Sequence, residues 1–149
     1  MTELTRRQQM LMMEGGVLMF VAEAFVIAMK LSEPAMVGRL VLLVMPCVFL
    51  CAAVLFFWMQ RKQQYQGTSL AIRRLMGIRS LAGILLILAG VFMVEDIYRF
   101  TQFIVVADLD SFILYSQIVN NNWVVLSLIG ALLELYATLR LSSALKKEP

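Results

Sequence analysis

An all-α, polytopic membrane protein is the fold class this sequence predicts, with four transmembrane helices in a bundle and short helical segments in the outer connector 95–122. Three observations carry that prediction. Of 149 residues, 61% are hydrophobic and only 15% are charged, against roughly 25% charged in soluble domains. The apolar residues gather into runs close to the roughly 20 residues that a helix needs to cross a bilayer. Between the second and third runs lies a basic island, Arg61 to Arg79, with five positive charges and no acidic residue. Islands of that kind mark cytoplasmic loops. The chain reads as one membrane domain, 1–149, with spans of about 15–31, 37–59, 75–94 and 123–141.

The polar lead Met1 to Met13 carries Arg6-Arg7. Glu14 and Glu23 interrupt the apolar run after it and no small-x-small site ends that run, so the first segment is expected to stay as a signal anchor. Ser32-Glu33-Pro34 closes it, since proline disfavours helix at the residue before it. The second segment, the most apolar of the set, contains Pro46, where a kink rather than a break is expected. Phe56, Phe57 and Trp58 sit at its far end, as interfacial aromatics do. Gly77, Gly83 and Gly90 lie near one another on the third segment, where a neighbouring helix can approach closely. The stretch from Glu95 to Asn122 sets four acidic residues against Arg99. Its apolar pieces, Phe100 to Val106 and Phe112 to Tyr115, are too short to span, so they read as helices on the outer surface or at the interface. Asn120-Asn121-Asn122 offers capping chemistry for the fourth segment, and Trp123 reads as its interfacial anchor.

Lysines and arginines near the span ends set orientation. Arg6, Arg7, Arg61, Lys62, Arg73, Arg74, Arg79, Arg140, Lys146 and Lys147 fall on one side, against Lys30, Arg39 and Arg99 on the other. Ten against three places both termini and the middle loop in the cytoplasm, with the inner (plasma) membrane as the location. The net charge of +3 serves topology and contact with anionic lipid, and no nucleic-acid partner is expected.

The chain contains no histidine. Histidine-ligated haem, the usual zinc sites and Ser-His or Cys-His nucleophile pairs are therefore excluded. Cys47 and Cys51 share one helix face at i,i+4, a spacing that suits core packing better than a mutual disulfide. No Gly-rich phosphate loop or nucleophile elbow is present. No catalytic residue, cofactor or metal is assigned, and an enzyme is not expected.

Ionisable residues inside spans are the candidates that remain, because lipid makes them costly. At 1.5 Å per residue, Arg79 lies roughly 6 Å in from Leu75 and Glu134 roughly 10 Å in from Leu141. An ion pair joining the third and fourth spans is expected from that match. Glu23 sits nearer the centre, roughly 13 Å from Glu14, with no basic residue at its level. It is open to two roles: a proton or substrate site, or a hydrogen bond to a residue such as Ser127 across the bundle. Asp108 with Asp110 forms an outer acidic candidate for a divalent cation, with a solvated face as the simpler account.

Ala22-Glu23 followed by Met29-Lys30-Leu31-Ser32-Glu33 resembles the first helix of the small multidrug resistance transporters. That resemblance implies a membrane glutamate, Glu23, that binds proton and drug in a four-helix protein. It covers about a tenth of the chain. The spacing is one residue short, the later helices lack that family's Trp-and-Tyr motif, and the acidic outer connector has no counterpart there. These departures leave the chain unassigned to that family. The function expected is a non-enzymatic accessory, assembly or interaction subunit, with a membrane-protein partner or a second copy of itself. The alternative is a small homodimeric proton-coupled transporter using Glu23.

Overall fold

The computed structural model describes residues 6–31, 36–62, 67–101, 107–119 and 122–147. Every regular element among them is an α-helix: α1 (Arg6–Leu31), α2 (Met36–Arg61), α3 (Leu70–Tyr98), α4 (Leu109–Val119) and α5 (Asn122–Lys147). Four stretches are long and apolar enough to cross a membrane, namely α1, α2, α3 and the stretch Leu109–Lys147 that holds α4 and α5. The second has the highest mean hydropathy, 3.0, in line with its sequence. The Ser32-Glu33-Pro34 stop, Asn120, Asn121 and residues 63–66 and 102–106 lie outside the described residues.

The third helix is longer than its apolar run at both ends. Its 29 residues make about 44 Å at 1.5 Å per residue, well beyond a hydrocarbon core of roughly 30 Å. Arg73 and Arg74 therefore ride on its first turns, and Glu95 and Asp96 on its last. The helix thus runs past both ends of the expected span, 75–94, and Glu95 and Asp96, read from the sequence as connector, are helical. Charge ends the hydrocarbon-soluble part of a helix, but it does not end the helix. The actual stop is Arg99, whose left-handed φ of 53° lets its N–H bond the Glu95 carbonyl at 2.7 Å, a C-terminal cap.

Helix α1 packs on α2, α2 on α3, and α3 on α5, whereas no described Cα of α1 comes within 8 Å of α5. Small residues permit these contacts. In lipid, association rests on close van der Waals approach rather than on hydrophobic burial. A Cβ on Gly90 would lie 3.1 Å from the Leu50 Cα, and one on Gly130 3.3 Å from the Ala82 carbonyl. Ala22, Ala52, Ala53, Ala82 and Ala89 complete the seams, and Met19, Phe49, Leu86 and Met93 fill between them. Gly77 departs from its expected role, because a Cβ there would meet nothing within 4 Å.

Helix α2 runs without interruption through the buried Pro46. The proline's missing N–H withdraws the intrahelical donor of the Leu42 carbonyl, and the Tyr98 hydroxyl of α3 donates to the next carbonyl, that of Leu43. Cys47 and Cys51 are free and exposed, which corrects their expected place in the core. Ala52, Ala53 and Phe49 take the inward positions of that helix instead.

Helix α4 has only 11 residues, about half of a crossing by itself. The Asp108 carboxylate accepts the Ser111 N–H at 2.8 Å and so caps its start. That N–H, with the Ser111 hydroxyl, holds the Asp108 carboxyl below its ordinary 3.8. A carboxyl whose pKa is lowered by folding contributes stability above its unfolded value and loses it as pH falls through the folded one. The Cα chemical shifts of Leu109 to Phe112 are therefore expected to stay helical above about pH 4 and move toward coil in stronger acid. Asp108→Asn, which keeps an N-cap acceptor, should abolish that acid transition. A transition unchanged in Asp108→Asn would rule out this carboxyl as its source.

Candidate functional site

Two polar clusters sit at opposite ends of the packed helices, and a third polar contact lies between them. At the end that carries the basic island, the Arg79 Nε donates to Glu134 Oε1 at 3.1 Å, and the two side chains are only 10% and 14% exposed. The pair expected from depth is thus formed, joining α3 to α5. The same oxygen accepts from the Gln60 amide of α2 and, at 3.3 Å, from the Thr138 hydroxyl. Glu134 therefore ties three helices together. Gln60 falls just past Met59, where the second apolar run ends, and sequence reasoning missed it. Its Oε1 and the second oxygen of Glu134 are buried with no hydrogen-bond partner among the described residues.

At the other end, Lys30 of α1 pairs with Asp96 of α3. The Trp123 indole N–H of α5 donates to the same Asp96 oxygen at 3.0 Å, and the ammonium lies 5.9 Å from the Trp123 ring centroid. Trp123 is 1% exposed, so it is a buried link rather than the interfacial anchor that its position implied. Sequence reasoning missed this cluster, although one signal was available. Lys30, Asp96 and Trp123 each fall at the same end of antiparallel helices and hence at similar depth.

Glu23 lies midway. Its Oε1 accepts the Ser127 hydroxyl at 2.7 Å, the cross-helix bond considered for it, and this bond spans the gap between α1 and α5. The gap is a cleft of about 380 Å³, lined by Met12, Phe20, Leu86 and Leu135 together with Glu23 and Glu134. Glu23 is half-buried in this cleft, whose largely apolar wall also carries Arg79, Ser127, Glu134 and Thr138, so space and ionisable groups meet there in the middle of the spans.

Glu95, Asp96 and Asp108 take separate tasks. Glu95 accepts from the Thr101 N–H at 2.8 Å and from the Tyr115 hydroxyl, fastening the connector and α4 to the end of α3. Asp96 serves Lys30 and Trp123, and Asp108 caps α4. Among the described residues, no three or more Asp, Glu, Cys or His side chains are grouped to hold a metal ion.

Four long apolar helices, with buried polar ties between them, define a multi-pass α-helical membrane protein. No family model, curated protein or solved structure matches the chain.

Proposed function

We propose that the protein is a non-enzymatic accessory or assembly subunit of the inner membrane, a four-helix bundle with both termini cytoplasmic. The observation that carries this reading is the use made of the intramembrane charges. Arg79 with Glu134, and Lys30 with Asp96, are spent on holding helices to one another. Residues placed in lipid for chemistry face a cavity or substrate path; Arg79 and Glu134 do border cavities, but each charge is taken up by its partner across a helix seam. The orientation rests on the ten-to-three division of basic residues. The working element is α4, too short to span and tethered by Tyr115 to Glu95. It leaves Leu109, Ile113, Leu114 and Ile118 exposed, an apolar face for a larger membrane partner. The double variant Leu114→Ser/Ile118→Ser is expected to lose co-purification with that partner while keeping its helical content. Purification of the wild type alone, as a stable homo-oligomer unaffected by the double variant, would sink the reading.

One observation favours a second reading, a homodimeric proton-coupled carrier. Glu23 lines the cleft between α1 and α5 and has a single hydroxyl donor across it. On this reading, Glu23→Gln abolishes pH-driven uptake into reconstituted vesicles, because a glutamine keeps the hydrogen bond but exchanges no proton. Absence of proton-linked flux in both wild type and variant would dispose of the carrier.

A further inference from the structure

The geometry points to a binding site for the headgroup of an anionic phospholipid, in the cavity between the end of α2 and the start of α3. The cavity has a volume of about 500 Å³ and is lined by Phe57, Gln60 and Arg61 of α2 and by Gly77, Arg79 and Ser80 of α3. That volume falls within the roughly 300–1,000 Å³ of small-molecule sites. The Arg61 guanidinium lies 5.8 Å from the Phe57 ring centroid, at the mouth. Arg73 stands one turn outward from Gly77 on the same face of α3 and donates to the Gly67 carbonyl at 3.1 Å. Glu134 offsets Arg79, and no acidic residue occurs between Arg61 and Arg79. The rim is therefore cationic, and the Ser80 hydroxyl adds a donor. Guanidinium is the group best matched to a phosphodiester, through paired N–H donors.

A second, independent observation concerns Gly77. Glycine inside a helix costs about 0.5–1 kcal/mol relative to alanine, and at Gly83 and Gly90 the close approach of α2 side chains and backbone explains it. At Gly77 nothing lies within 4 Å of a Cβ. The missing side chain there leaves space in the cavity instead of admitting a helix.

A lipid rather than free phosphate is the occupant because the cavity continues into apolar surface. Val54 and Trp58 share a face of α2 with Arg61, and Leu81 and Ile84 share a face of α3 with Gly77, by their i,i+4,i+7 spacing. All four are exposed, so acyl chains can lie along them while the phosphate reaches the arginines. Basic pockets between helix ends on the cytoplasmic side hold anionic headgroups in this way.

The test uses the full chain in vesicles and the fluorescence of Trp58, which is 63% exposed beside the cavity. Trp123, buried at the opposite end, gives a constant background. Quenching by brominated phosphatidylglycerol is compared with quenching by brominated phosphatidylcholine. A preference for the anionic lipid of about fivefold per participating arginine is expected, the equivalent of about 1 kcal/mol each. Arg61→Gln should reduce the preference about fivefold, and Gly77→Leu, which leaves every charge in place, should abolish it by filling the cavity. Where Gly77→Leu does not fold, Ser80→Val fills and dries the same cavity. Equal quenching by the two lipids in the wild type overturns the site. So does a preference that survives Gly77→Leu or Ser80→Val, which would be surface attraction alone. Loss of the preference on adding inorganic phosphate at constant ionic strength would make free anion the occupant and overturn the lipid. Quenching by phosphatidylcholine reports membrane placement in every arm, so a failure of insertion is told apart from a failure of selectivity.

Discussion

Arg79→Leu is expected to cost about 3–5 kcal/mol of stability, the penalty for leaving one member of a buried ion pair without its partner. Glu134→Leu should cost a similar amount, because it removes the acceptor that Arg79, Gln60 and Thr138 share. The double variant Arg79→Leu/Glu134→Leu should recover a large part of the loss, because apolar replacement of a whole buried pair is often neutral. One detail favours recovery and one limits it. The second Glu134 oxygen is buried and unpartnered among the described residues, a standing cost of about 1–3 kcal/mol that leaves with the carboxylate. Gln60 would then lose its own acceptor, so adding Gln60→Leu should complete the recovery. Unfolding in mixed detergent micelles, read by circular dichroism, measures each step. Strict additivity of the two single losses would mean that the pair contributes no coupling.

The legibility of this cluster shows where sequence reasoning has purchase. Arg79 and Glu134 stand out because charge is rare in a hydrophobic run, and 1.5 Å per residue converts their positions into matching depths. The helices were legible for the same reason, since run length and turn residues are local properties. Three things were not. The ends of α3 were not readable because Arg73, Arg74, Glu95 and Asp96 are polar yet helical, so polarity marks a lipid boundary and not the helix boundary. Gln60 was missed because an uncharged amide at the edge of a run gives no hydropathy signal. The inward or outward aim of Cys47, Trp123 and Gly77 depends on helix rotation. An all-round apolar helix leaves rotation undetermined, because its hydrophobicity has no preferred face. Glu23 illustrates the same limit: its depth was readable, whereas the cleft beside it exists because the backbones of α1 and α5 stay apart and meet only through side chains such as Glu23 and Ser127.

Asp96→Ala should be as damaging as any change in the Arg79–Glu134 cluster, at about 3–5 kcal/mol. Asp96 is 3% exposed on its side chain and Lys30 26%, so the carboxylate is the buried member and the lysine reaches toward the polar boundary. Removing the carboxylate strips the Trp123 N–H of its acceptor in a site where nothing replaces it cheaply. Asp96→Asn keeps an acceptor for the indole and loses only the ionic half, so its cost should fall well below that of alanine. Trp123→Phe gives up one neutral hydrogen bond and should cost about 1 kcal/mol beyond its small loss of volume. The order alanine, then asparagine, then the phenylalanine variant separates the contributions; Trp123 emission in a Trp58→Phe background follows the unfolding of the two Asp96 variants, and circular dichroism follows that of Trp123→Phe. An Asp96→Ala cost below about 1 kcal/mol would place the cluster among surface pairs. The outcome also bears on the two functional readings. A subunit needs this end of α1, α3 and α5 held shut, whereas a carrier must open it in each cycle. A cluster worth several kcal/mol with no proton-linked change in Trp123 emission is the behaviour of a structural clasp.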